Sequence, residues 1–169
     1  PFDYAQSNLV GHLSVLEAAR ALGDDLEHFV YASSSSVYGE TARVPFAEAD
    51  ASETPASLYA ATKRADELMS ASYSSLYGIP ATGLRFFTVY GPRQRPEMAI
   101  HKFARLISDG ASIPFFGDGA SRRDYTYVDD IVSGVRAAMD RDCGYEIFNL
   151  GGAATTSLAE LVKHLERAL

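Results

Sequence analysis

The sequence predicts an α/β fold, part of a doubly wound, Rossmann-like parallel sheet. Three observations predict it. Amphipathic helical segments alternate with short apolar runs along the chain. Those runs, such as HFVYASSS, lack the polar–apolar alternation of a half-exposed strand, so they read as strands covered on both faces. Glycines, prolines and capping serines punctuate the segments.

The elements follow in order. Asp3 to Leu22 sets Leu9, Leu13, Leu16 and Ala19 on one side of a helix, with Gly23 as its C-cap. HFVYASSS is a buried strand that ends in serines, and 40–55 is a polar, proline-containing loop. Ser57 to Tyr77 is helical and stops at Gly78 and Pro80. Ala81 to Phe87 is a strand, GPRQRP (91–96) a loop, and Met98 to Ser108 a helix closed by Gly110. Ile113 to Phe116 reads as a short extended piece before the turn-forming GDG at 117–119. Asp129 and Asp130 open a helix reaching about Asp140, where the macrodipole favours their charge. Tyr145 to Leu150 is a strand, and Ser157 with Glu160 forms a capping-box pattern before the last helix.

Composition narrows the function. With 169 residues, 47% hydrophobic and 22% charged, the chain has the mix of a globular protein able to bury a core. A net charge of −7 gives no basic footprint for nucleic acid. No apolar run approaches the ~20 residues of a membrane helix. Cys143 is the single cysteine, which fits a reducing, cytoplasmic setting, and no His or Cys cluster has metal-ligand spacing. The chain starts at Pro1 and ends inside a helical pattern, so it reads as a piece of something longer.

Two strand exits are chemically loaded, YASSSSVYG and LRFFTVYGPRQRP, and ligands in such sheets bind beyond the carboxyl ends of the strands. Between them lies YAATKRAD, with Tyr59 and Lys63 one helical turn apart. A free phenol titrates near 10, and a neighbouring ammonium favours its ionised form. The pair is therefore able to act as a proton-transfer device. As plain structure, the same residues are an aromatic and a cation sharing a helix face, and the serines satisfy backbone groups in a turn.

The order ASSSSVYG, YAATK, LRFFTVYGP and RRDYTYVDDIV, after an opening YAQSNLVGHLSVLEAAR, resembles the extended short-chain dehydrogenase/reductase superfamily. Within it, the likeness is to NAD-dependent nucleotide-sugar epimerases and dehydratases. It covers nearly the whole chain. The family's leading G-x-x-G-x-x-G turn, which receives the dinucleotide phosphates, has no counterpart in these residues. The chain thus resembles a middle portion of such a protein: 1–90 the later half of a dinucleotide-binding domain, 91–169 mainly a smaller nucleotide-sugar part with elements returning to the sheet.

The resemblance implies roles. Tyr59 is the catalytic base, Lys63 its partner and a holder of the nicotinamide ribose, and Ser34 the hydroxyl that meets the substrate alcohol. Ser33 and Ser35 remain alternatives to Ser34. Asn8, Ser33 and Phe87 lie near the cofactor, NAD. Dehydratases and decarboxylases of the family carry acidic residues just before V-Y-G, where this chain has Ser35 and Ser36, which leaves epimerisation. The stretch R-F-F-T-V-Y-G-P-x-x-R-P resembles UDP-glucuronate 4-epimerases, in which Thr88 and Arg95 would face the sugar carboxylate. Arginine suits a carboxylate because its planar fork bonds both oxygens. Ser35, Pro114, Phe115, Phe116 and Arg123 complete the substrate side, Arg123 gripping the diphosphate in preference to Arg122. Phe87, Phe115 and Phe116 read equally as core. A homodimer is implied through the opening helix and the Tyr59 helix. The alternatives are an epimerase of neutral UDP-hexoses or UDP-N-acetylhexosamines, and a non-catalytic binder of dinucleotide or nucleotide-sugar.

Overall fold

The computed structural model describes residues 1–39, 43–50, 54–115, 117–141, 143–152 and 154–169. In chain order the regular elements are α1 (Phe2–Tyr4), α2 (Gly11–Leu22), β1 (Phe29–Ser34), α3 (Leu58–Tyr77), β2 (Ala81–Phe86), β3 (Thr88–Tyr90), α4 (Ala99–Ser108), β4 (Arg122–Arg123), β5 (Tyr125–Tyr127), α5 (Val128–Met139), β6 (Tyr145–Leu150), β7 (Thr156–Ser157) and α6 (Leu158–Ala168). The chain divides into two compact units, Pro1–Phe86 with Val132–Leu150, and Phe87–Ile131 with Gly151–Leu169.

The first unit is built on a three-stranded parallel sheet in the order β1-β2-β6. Tyr31, Gly83 and Ile147 stand in one row across it, and Ser33, Arg85 and Asn149 in the next. Strand side chains alternate between faces, so these rows share one face, and Ser34, Phe86 and Leu150 share the other. α3 packs on the first face. Gly134 of α5 lies against the Leu150 side chain on the second. Helices therefore cover both faces, as a doubly wound sheet requires.

Gly83 is dictated by its neighbour. The Tyr31 ring lies over it, on its way to a 2.9 Å hydrogen bond with the Tyr145 hydroxyl, and a Cβ at position 83 would overlap the Tyr31 phenol. Burial drives the Tyr31 phenol above its ordinary value, so it sits there neutral. Replacing Gly83 by valine is expected to destabilise the protein by about 1–3 kcal/mol, read as a lowered urea midpoint. An unchanged midpoint would show that the ring can move aside.

The helices follow from their caps and faces. α3 starts where the Ser57 hydroxyl accepts the Ala60 N–H at 3.1 Å, and ends at Gly78, whose φ of 68° is left-handed. Its buried residues include Ala60, Thr62, Asp66, Glu67 and Ser70, an unusually polar inward face. The opening run is one continuous helix. Its residues 5–10 are π-helical, and the junction residues Tyr4, Ala5, Val10 and Gly11 all keep right-handed helical dihedrals. Gly23 ends it with φ 55°.

In the second unit β3 pairs with β5 in parallel and β4 with β7 antiparallel. α4 and α6 pack on each other. Ser157 and Glu160 form the expected reciprocal capping box. The GDG turn is present too, with Asp118 Oδ1 accepting the Ala120 N–H and both glycines at positive φ. The extended piece expected at 113–116 makes no strand over its described part, Ile113 to Phe115. Phe116 lies outside the described residues.

Candidate active site

Tyr59 and Lys63 occupy the first two turns of α3, on one face because four residues complete about one turn. The Lys63 ammonium donates to the Ala32 carbonyl at 3.1 Å and to Asp66 Oδ2 at 3.2 Å. It is thus held at the carboxyl end of β1, two residues before Ser34. α3 also packs against the 3-10 turn Ser35–Tyr38 that follows this strand. Tyr59 is 36% exposed, and its ring lies 5.9 Å from that of Tyr4. Its hydroxyl makes no hydrogen bond to another described residue.

The four serines have different fates because strand alternation sorts them. Ser33 faces α3; it is 2% exposed and donates to Glu67 Oε1 at 2.6 Å. Its hydroxyl is committed to packing, which weighs against it as a ligand contact. Ser34 points the other way and is half-buried. Its Oγ accepts from the Ser36 N–H at 3.2 Å and the Ser36 hydroxyl at 2.9 Å. That leaves the Ser34 O–H itself as a donor for a third group. Ser35 is half-buried in the turn.

Beneath this corner lies a polar cluster that motif reading did not single out. Glu67 accepts Arg85 Nε on Oε1 and Arg85 Nη2 on Oε2, at 2.8 and 2.9 Å. Arg64 fills a further site on Oε2 at 2.8 Å. With Ser33, all four carboxylate acceptor positions are used. Arg85 Nη1 reaches the Tyr38 hydroxyl and the Glu48 carbonyl, both at 2.9 Å, and its guanidinium lies over the Tyr38 ring. Burial pushes the Glu67 carboxyl up, but hydrogen bonds from Arg85 and Ser33 more than reverse this, and it sits below the usual carboxylate range. The signal was available in the sequence: Arg85 interrupts an otherwise apolar strand, and Glu67 falls on the inward face of α3.

Asn8 lies in the π-helical stretch, and its amide donates to the Thr62 hydroxyl at 2.8 Å. Thr62 donates in turn to the Tyr59 carbonyl at 2.8 Å. The amide therefore braces the first turn of the Tyr59 helix. π-helical turns concentrate at functional sites.

The remaining residues belong to the second unit. Phe87 is half-buried, and Thr88 opens β3 with its N–H on the Asp124 carbonyl at 3.0 Å. The 91–96 loop is strained at Arg93, a non-glycine residue with φ 67°. Arg95 projects from it with its side chain 74% exposed, 3.4 Å from Glu97. Arg122 is engaged by Thr155 and Glu160. Arg123 donates to the Arg122 carbonyl at 3.1 Å and is exposed. Pro114 is half-buried and Phe115 exposed. Among the described residues no helix is long and apolar enough to cross a membrane.

Residues 1–151 match the family described as NAD dependent epimerase/dehydratase. UDP-glucuronate 4-epimerase 4 of Arabidopsis thaliana is 43% identical over 185 residues, covering 100% of this chain and 42% of that protein. The UDP-glucuronic acid 4-epimerase of Bacillus cereus, solved with UDP-glucuronic acid and NAD, superposes with a TM-score of 0.88 at 36% identity, over 96% of this chain and 51% of that one. The UDP-glucose 4-epimerase of Thermotoga maritima, solved with UDP-glucose, does so with a TM-score of 0.90 at 33% identity, over 96% and 53%. The chain spans about half the length of the relatives it matches.

Proposed function

The chain belongs to the NAD-dependent epimerase/dehydratase family, and from that premise we propose that it is the catalytic portion of a UDP-sugar 4-epimerase whose substrate pair is UDP-glucuronate and UDP-galacturonate. The observation that carries the reading is the bond from Lys63 Nζ to the Ala32 carbonyl. It sets the Tyr59–Lys63 face of α3 against the strand that ends in Ser34.

The donor set fits the nicotinamide end of NAD. Lys63 keeps one of its three ammonium donors after Ala32 and Asp66 are served, which suits a ribose hydroxyl. Asn8 and Phe87 complete that end. The phosphate end finds no glycine-rich cradle in these residues. When bound, NAD would supply the hydride acceptor and donor for the sugar carbon.

The side chains handle the proton and the orientation. Tyr59 removes the proton of the 4-hydroxyl and later returns it. The Ser34 O–H, polarised by the two bonds its oxygen accepts, holds the sugar oxygen in line with the phenol. Ser35, Thr88, Pro114, Phe115, Phe116 and Arg123 contact the UDP-sugar, with Arg123 on the diphosphate. In this reading residues 1–90 supply the cofactor side and 91–169 mainly the sugar side. The exposed apolar residues Leu13, Val15, Leu68 and Leu76 on α2 and α3 suit a homodimer.

The test is direct. Incubated with NAD and UDP-glucuronate, the complete protein is expected to form UDP-galacturonate, detected by proton NMR. No conversion of this or any neutral UDP-sugar would defeat the proposal. Arg95 separates it from the neutral-sugar reading. Charge-assisted hydrogen bonds contribute about 1.5–3 kcal/mol. Arg95→Ala should therefore lower kcat/KM for UDP-glucuronate by about 10–100-fold and leave any activity on UDP-glucose nearly unchanged. Equal losses on both would remove the carboxylate argument.

A further inference from the structure

Asp66 is a charged side chain that neither the proposed mechanism nor its packing explains. It lies on the inward face of α3, 1% exposed. Its Oδ2 meets Lys63 Nζ at 3.2 Å, and its Oδ1 is buried with no hydrogen-bond partner among the described residues. A buried carboxylate oxygen left unpaired is costly, and a protein that keeps one calls for a reason. Packing alone would be served better by an apolar residue.

The geometry offers one. Tyr59, Lys63 and Asp66 stand at positions i, i+4 and i+7 of a single helix, so they form one stripe. Lys63 sits between a phenol on one side and a carboxylate on the other. The ammonium is held by two acceptors, the Ala32 carbonyl and Asp66. We propose that Asp66 is the positioning residue and counter-charge of Lys63: it fixes where the ammonium points and how much of its positive field reaches Tyr59.

The charged and titratable groups acting on Asp66 are Lys63 and Glu67 on its own helix and His12 on α2. The His12 ring hydrogen-bonds Ser70 at 2.8 Å, one helical turn beyond Asp66. Burial holds the Asp66 carboxyl above the usual carboxylate range, and His12 and Lys63 offset this only in part. Burial likewise lowers His12. Once ionised, Asp66 places an anion directly behind the ammonium at 3.2 Å, shielded from solvent counter-ions.

This inference rests on Tyr59 as the base. Its test is the pH dependence of kcat/KM in the complete protein. Asp66→Asn keeps an oxygen for Lys63 and removes the charge. Seven residues span about 10 Å of helix. A unit charge at that range, in an effective dielectric near 20, moves a titration by about one pH unit. With the anion gone, the phenolate forms at lower pH. The rising limb of the profile should shift down by about one unit, with its plateau kept. Asp66→Ala, which also removes the anchor, should shift the limb and lower the plateau.

A residue that only packs would lower the rate at every pH or leave it alone. Wild-type turnover with an unmoved Asp66→Asn limb would overturn the inference while leaving the epimerase reading intact. Absence of wild-type turnover would defeat the epimerase reading instead. A carbon-13 NMR titration of the Asp66 carboxyl in the wild-type protein decides the inference even if the variants do not fold or turnover is absent. An ionised carboxyl at pH 8 supports it, and a protonated one overturns it.

Discussion

Replacing Tyr59 by phenylalanine in the complete protein is expected to cut turnover by about 10²–10⁴-fold, the usual contribution of a positioned proton-transfer group. The change removes one oxygen. That oxygen makes no hydrogen bond to another described residue, and the ring keeps its 5.9 Å neighbour Tyr4. Nothing among the described residues depends on it, so the melting temperature should hold. Binding of the UDP-sugar should hold as well, because its proposed contacts come from other side chains. The measurement is single-turnover conversion with calorimetric affinity alongside. Loss of rate with affinity intact marks an interaction made in the transition state. Near-normal turnover would show that another group moves the proton, and the Tyr59 assignment would be lost.

Much of this fold was legible because its long elements obey local rules. α3 begins at a serine cap and ends at a left-handed glycine, so its bounds were read to within a residue. β1 announces itself as a short, mainly apolar run ending in serines. What was not legible is set by tertiary pairing. β4 and β7 hold two residues each, and their only identity is the partner across the ladder. The π-helical stretch at Ala5–Val10 is invisible to apolar periodicity, since the same residues suit an ordinary helix. For the same reason Ile113 to Phe115 looked extended but pairs with nothing among the described residues.

The site shows the same division. Motif order marks Tyr59, Lys63 and the serines. Motif register favours Ser34 among them, and strand alternation separates it from Ser33, because Ser33 must share a face with Tyr31 and Ser34 must not. Asp66 and Glu67 were passed over because charged residues on a helix usually read as a solvated face, and Arg85 because it is a single charge within a short strand. Their burial follows from α3 lying flat on the sheet with that face inward.

The largest stability effect is expected at Glu67 and Arg85. Both are at most 1% exposed, and they form a two-pronged pair. Removing one partner strands the other charge in the interior. Arg85→Met or Glu67→Met should each cost about 3–5 kcal/mol, measured by urea unfolding. The double variant should cost well under the sum, because it leaves no orphaned charge between these two. Additive losses would mean that the two act independently. The pair also carries a pH signature. Glu67 is held below its ordinary value, so its contribution is complete above the unfolded carboxylate value of about 4.3 and fades as pH falls through the depressed folded one. Below about pH 4 the wild type should therefore lose stability more steeply than Glu67→Gln. The consequence reaches the candidate active site, since Glu67 holds Ser33 and Arg85 holds Tyr38, at either end of the segment that carries Ser34.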